Sequence, residues 1–137
     1  MLRTLGMIIL VSALVTAILP QFTTCESQGR AITLDNGTIV AMKCKWTARA
    51  ELAPAVPLMA AGAMMMIFRR RETLRALSIL AVILGIFVLL IPTVLIGVCQ
   101  TLMVCHTIMK PVLLTAGGFM TAAGLLALGL SLRIREA

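Results

Sequence analysis

Charge is scarce in this chain. Asp, Glu, Lys and Arg make up 12% of its 137 residues, against about 25% in an average soluble protein. Hydrophobic residues make up 61%, where soluble proteins have about 45 to 50%. A chain with so little polar material cannot cover a water-facing surface, so a soluble fold is excluded.

The common catalytic signatures are missing as well. The sequence has no phosphate-binding loop, no Gly-rich nucleotide motif and no Cys-x-x-Cys redox pair. Its apolar runs hold no ionisable residue of the kind that marks ion and proton pathways in membranes. Glu51 comes nearest, at the edge of a run with Arg49 available as its partner. These absences argue against an enzyme and against an autonomous channel, pump or transporter.

What is present is a set of four long apolar runs. A membrane span needs about 20 apolar residues, and the runs predict spans at residues 5–20, 52–68, 74–98 and 111–132. The net charge of +7 does not indicate nucleic acid, because the basic residues are not gathered into one patch interleaved with aromatics. We therefore expect a single all-α domain over residues 1–137, a four-transmembrane-helix bundle in a lipid bilayer.

The basic residues predict the orientation of these spans. Positive side chains favour the cytoplasmic side of a membrane, and they flank the runs at Arg3, Arg69, Arg70, Arg71, Arg75, Arg133 and Arg135. Both termini are then cytoplasmic, and the loops at 21–50 and 99–110 lie outside a bacterial cytoplasmic membrane. The first run also resembles a signal peptide, but no small-x-small cleavage site precedes Pro20, which favours a retained span.

All four cysteines fall in the two outer loops, and the apolar runs contain none. This distribution suits an oxidising compartment, where disulfides persist. Cys25 can pair with Cys44 and Cys99 with Cys105, or the bonds can cross between the loops and clamp them together. The spacing leaves the pairing open.

The first outer loop contains a predicted β-hairpin. Two β-prone segments, Ala31–Leu34 and Thr38–Cys44, flank Asp35-Asn36-Gly37, residue types that tolerate the positive φ of a tight turn. A bond between Cys25 and Cys44 would staple the base of the hairpin. That staple would supply stability that a two-stranded hairpin lacks in water.

The second outer loop is rich in soft ligands, which offers an alternative to structural disulfides. Thiolate, thioether and imidazole groups suit copper(I), and thiolates with imidazole suit zinc. The candidate ligands are Cys44, Cys99, Met103, Cys105, His106 and Met109. The same thiols could instead carry thiol-disulfide redox chemistry. The preferred interpretation needs no cofactor.

Two groups of residues are candidate partner-binding surfaces. Trp46, Arg49 and Glu51 lie at the entry to the second run, where they could equally serve as an interfacial anchor. Gly117, Gly118 and Thr121 give the fourth run a small-residue face for close helix packing, within the chain or with a partner, which is either another membrane protein or a second copy of this chain. The third run is bulky and reads as lipid-facing, with a kink at Pro92. These features favour a non-catalytic interaction subunit.

The segment Met42-Lys43-Cys44-Lys45-Trp46-Thr47-Ala48-Arg49-Ala50-Glu51, with the later Cys99–Lys110 loop, resembles a family of small bacterial four-span proteins of unknown function. The likeness covers nearly all of the chain. Members of that family tend to be encoded beside ABC-type permeases of the macrolide-exporter class. The resemblance therefore implies an accessory role on such a permease, and it transfers no functional residue.

Overall fold

The computed structural model describes residues 1–27, 29, 32–100 and 104–136, with side chains to residue 133. The chain is mostly helical. Its four long helices are α1 (Leu2–Phe22), α2 (Lys43–Ile67), α3 (Arg71–Leu90) and α4 (Lys110–Glu136). All four are long and apolar enough to cross a membrane, which confirms the expected multi-pass architecture.

The helices form a closed bundle in which each packs on the next and α4 returns to α1. The α1–α2 and α3–α4 interfaces are the most extensive. Large apolar side chains stay exposed around the outside, as a lipid-facing surface requires. We call the end with the two longer connections the cysteine end, and the end with the short α2–α3 connection the arginine end.

Close backbone contact joins α1 to α2 where two glycines meet. A Cβ atom placed on Gly62 would lie 3.0 Å from the carbonyl oxygen of Gly6 and 3.0 Å from the backbone nitrogen of Leu10. Any larger residue at Gly62 must therefore push the helices apart. Small residues at a helix crossing allow this approach in membranes, where burial of apolar surface gives little drive for association.

The third span is not simply lipid-facing, because α3 also packs closely on α4. The distortion expected at Pro92 is confirmed. Helix α3 ends at Leu90 and continues as a π-helical turn, Ile91–Leu95. The backbone N–H groups of Ile96 and Gly97 both donate to the carbonyl oxygen of Ile91, and this wider turn carries the chain away from the helix axis.

The predicted hairpin is present, in shortened form. Its strands are β1 (Ile32–Thr33) and β2 (Ile39–Val40), which pair antiparallel. Gly37 has φ +74° in the turn, which explains why glycine follows Asp35-Asn36 there. Ala31, expected in the first arm, lies outside the described residues.

The second arm of the hairpin ends earlier than expected, because α2 begins at Lys43 rather than near residue 52. Part of the expected outer loop is thus helical. Residues 43–51 are mostly good helix formers, such as Lys, Ala, Arg and Glu. Because many of them are polar, hydropathy alone does not include them in a membrane span. Cys44, Trp46, Arg49 and Glu51 are consequently carried on the first turns of a membrane-spanning helix.

Candidate thiol site

The four cysteine side chains meet at one place, from four separate parts of the chain. Cys25 follows α1, and Cys44 lies in the first turn of α2. Cys99 follows the π-helical turn of α3, and Cys105 begins a second π-helical turn, Cys105–Met109, that leads into α4. Every helix of the bundle therefore contributes a thiol at its cysteine end.

The shortest sulfur contacts run between the two outer loops. The Sγ atoms of Cys25 and Cys105 are 3.0 Å apart, and those of Cys44 and Cys99 are also 3.0 Å apart. Cys25 and Cys44, whose local pairing would staple the hairpin, are 3.9 Å apart. A disulfide bond measures about 2.05 Å, so the sulfurs are in contact without being bonded.

The cluster is enclosed. Cys25, Cys44 and Cys105 are buried, and Cys99 is partly exposed. Met42 packs against the sulfurs, and the Cys105 thiol donates to the carbonyl oxygen of Thr23 at 3.3 Å. The thiols therefore lie in a small protein-lined space with limited access for solvent.

Two hydrogen bonds from side chains to backbone carbonyls join the surrounding segments. The Thr47 hydroxyl of α2 donates to the carbonyl oxygen of Gly97 at 2.8 Å. The amide of Gln21 in α1 donates to the carbonyl oxygen of Ala48 at 2.9 Å. These two bonds fix α2 to the end of α1 and to the segment before Cys99, which is why residues far apart in sequence bring their sulfurs together.

The environment favours the neutral form of at least one thiol. Burial raises the pKa of the Cys99 thiol above its ordinary value, and the adjacent Cys44 raises it further. A buried thiol disfavours ionisation because the thiolate loses hydration. In the reduced, metal-free protein, Cys99 is thus a weak nucleophile.

The predicted metal ligands are only partly brought together. The sulfurs of Cys25, Cys44 and Cys99 all lie within 4.8 Å of one another, and Cys105 is in contact with Cys25. Cys25 was not among the predicted metal ligands. The signal that could have identified it is that all four cysteines fall in the two outer loops. The other candidates do not join the cluster: His106 is exposed, Met109 packs with Ala48 and Leu113, and Met103 lies outside the described residues.

Beside the thiols, Arg49 lines a surface cleft of about 370 Å³. Lys45 and Glu26 form an ion pair of 2.6 Å at its rim. Trp46 is 58% exposed on the same helix, a location that suits an interfacial ring. The cleft is lined by Gln21, Thr24, Glu26, Ser27, Lys45, Ala48 and Arg49.

Glu51 differs from its expected role. It is fully buried in α2 (Lys43–Ile67), a helix apolar enough to cross a membrane, whereas the sequence placed it at the edge of a span. The expected pairing with Arg49 is wrong, because neither carboxylate oxygen of Glu51 has a hydrogen-bond partner. Two residues along a helix turn the side chain by about 200°, which places Arg49 on the opposite face.

The small residues of α4 are used within the bundle. A Cβ on Gly117 would lie 2.9 Å from Leu89, and a Cβ on Gly85 would lie 2.7 Å from the Thr121 hydroxyl oxygen. Gly117 and Thr121 therefore face α3. A Cβ on Gly118 would meet nothing within 4 Å, so this residue alone of the three is open to another molecule.

Comparison with known families places the chain in a group without an assigned activity. A family model described as a domain of unknown function, DUF4418, matches residues 4–130. Because the match covers nearly the whole chain, the protein belongs to this family. No curated protein and no solved structure matches the chain significantly.

Proposed function

We propose that this member of a family of unknown function is a non-catalytic interaction subunit, which binds another membrane protein through its cysteine end. We call the two longer connections at that end, together with the hairpin and the four cysteines, the cap. The observation that carries the proposal is the convergence of Cys25, Cys44, Cys99 and Cys105 from both long connections. Such an arrangement fixes the connections to each other and to all four helices. A cap held in this way can present a constant surface to a partner.

The sulfur contacts favour a particular pattern of disulfides, Cys25 with Cys105 and Cys44 with Cys99. Both bonds would cross between the connections. The loops they close are about 80 and about 55 residues long, and longer closed loops restrict the unfolded chain more. The orientation that places the cysteine end outside the cytoplasm, in a bacterial inner membrane, follows from the arginine distribution and belongs to the same proposal.

The cap offers an unusual surface for such docking. Both strands of the hairpin are exposed on every residue, although Ile32, Ile39 and Val40 are apolar. An exposed two-stranded ribbon also has open edges, which can pair with an extended segment of a partner. We identify the partner as a membrane protein with an extended extracytoplasmic segment. The resemblance to proteins encoded beside ABC-type permeases makes such a permease the first candidate.

Photocrosslinking in native membranes tests the docking. A photoreactive amino acid replaces Ile39, which is 64% exposed on the hairpin, or Leu126, which is 60% exposed on α4. We expect Ile39 to capture one membrane protein and Leu126 to capture lipid. Capture at Ile39 should disappear in the Cys44→Ser protein, because the hairpin base loses its attachment. Crosslinks from Ile39 to lipid alone, or to a second copy of the chain, would contradict the proposal.

The second candidate is a soft-metal site at the same sulfurs. A tetrahedral zinc site with Zn–S bonds of about 2.3 Å has sulfur–sulfur edges of about 3.8 Å, close to the 3.9 Å between Cys25 and Cys44. The other two contacts, at 3.0 Å, would have to widen.

Thiol labelling without reductant, followed by intact mass and elemental analysis of the same sample, separates the two candidates. Four unlabelled cysteines with no metal would mean two disulfides and support the cap. Thiols that become labelled only after chelation, with stoichiometric zinc or copper in the untreated sample, would establish the metal site.

A further inference from the structure

Glu51 stands apart from every other ionisable residue of the bundle. Among the residues whose side chains the structure describes, it is the only Asp, Glu, Lys, Arg or His that is buried. Neither of its carboxylate oxygens accepts a hydrogen bond. The proposed interaction surface makes no use of it. A buried acid inside a membrane span is costly, and residues of this kind usually have a function.

Among the described residues, no basic group is paired with this carboxylate. The sequence has no Asp, Glu, Lys, Arg or His at positions 4–25 of α1 and its end, 52–68 of α2, 76–98 of α3 and its end, or 111–132 of α4. The nearest basic groups are at the cysteine end. Lys45 pairs with Glu26, Arg49 lines the cleft, Lys43 and His106 are exposed, and Lys110 is partly exposed at the start of α4.

An ionised Glu51 would therefore be an unpaired buried charge, which costs several kcal/mol in a protein interior. Two states avoid that cost: a proton on the carboxyl, or a small cation bound to it. We propose that Glu51 is the ligand of a site for a small monovalent cation, H⁺ or Na⁺, in the half of the bundle nearest the thiols.

The cleft beside the thiols lies near the site along α2. Ala48 lines this cleft and precedes Glu51 by three residues, which is a rise of roughly 5 Å along the helix axis. Glu51 is fully buried and is not among the residues that line the cleft, so a cation from the cysteine side must cross the packing between them.

A hydrophobic carbodiimide, which reacts with protonated carboxyls inside membranes, tests the site in the full chain reconstituted in lipid. Intact mass and peptide mapping would measure modification of Glu51 across pH 5 to 9, with Na⁺ or with K⁺ at equal ionic strength. We expect Glu51 to be labelled, and labelling to fall as pH rises. The Glu51→Gln protein should lose this label, whereas Glu26→Gln and Glu72→Gln, which change exposed carboxyls, should keep it.

Protection by Na⁺ but not K⁺ would identify Na⁺ as the ligand, and pH dependence without Na⁺ protection would identify the proton. The proposal is overturned if Glu51 in the folded protein stays unmodified throughout, or if its labelling rate depends on neither pH nor Na⁺. Because mapping assigns the label in the unsubstituted chain, the result does not depend on the folding of Glu51→Gln. It is also independent of the thiol and crosslinking experiments.

Discussion

The cysteine end and the packed helices of the bundle are held together by different means. Between the helices, Gly62 lets α2 approach Gly6 of α1 toward the arginine end, and Thr121 of α4 packs over Gly85 of α3. At the cysteine end, four sulfurs lie in contact and side-chain hydrogen bonds join the helices to the connections. The small-residue contacts involve no thiol, so redox state and metal binding do not act on them directly, whereas both can act on the sulfurs.

This difference suits a protein whose membrane part is a fixed support and whose exposed cap does the binding. The small-residue contacts depend only on how closely the helix backbones pack, so they require no particular redox compartment. A thiol cluster makes a bond only in an oxidising compartment or with a bound metal. Oxidation of the thiols, or binding of a metal to them, would therefore change the cap and leave the packing of the helices unaltered.

The largest effect is expected at the cysteine end. Replacing Cys44 by Ser should lower the free energy of unfolding by about 2 to 5 kcal/mol if a disulfide is lost. Thermal unfolding in detergent, with and without reductant, measures this change. Reductant should destabilise the unsubstituted protein and have little further effect on Cys44→Ser. Equal stability of the two oxidised proteins would show that Cys44 does not hold the cap.

A smaller effect, insensitive to reductant, is expected at the contact between α1 and α2. Gly62→Ala forces a Cβ against the α1 backbone, and overpacking of this kind costs about 1 to 3 kcal/mol. Gly118→Ala is the matched control, since a Cβ there meets nothing within 4 Å. The same unfolding measurement applies. A loss of stability in Gly118→Ala as large as in Gly62→Ala would mean that helix approach at Gly62 is not the cause.

The smallest effect is expected from the ion pair at the rim of the cleft. Both side chains are partly exposed, and such pairs contribute about 0 to 1 kcal/mol. Lys45→Met and Glu26→Gln should each change stability by less than about 1 kcal/mol, with the difference shrinking at high salt. A double-mutant cycle measures the coupling. A larger, salt-insensitive coupling would indicate that the pair holds Cys25 near Cys44.

The predicted parts of the fold are those that local sequence controls. The four apolar runs predicted the four helices that are long enough to span a membrane. Asp35-Asn36-Gly37 predicted the hairpin turn, and Pro92 predicted the distortion at the end of α3. Helix α2 starts before the expected span at 52–68, because hydropathy indicates membrane insertion, whereas helix formation depends on backbone propensity. Residues 43–51 are polar and helical at once, and that combination moved Glu51 from the membrane edge into the interior.

The sequence by itself determined that this protein has four membrane-spanning helices, because span length and apolar content are properties of each segment alone. It also determined that every thiol lies outside the four apolar runs. Only the tertiary structure decided which sulfurs approach one another, because the bonds of Gln21 and Thr47 bring distant segments together. It likewise decided that Glu51 is buried without a partner, since burial depends on how neighbouring helices pack around a residue.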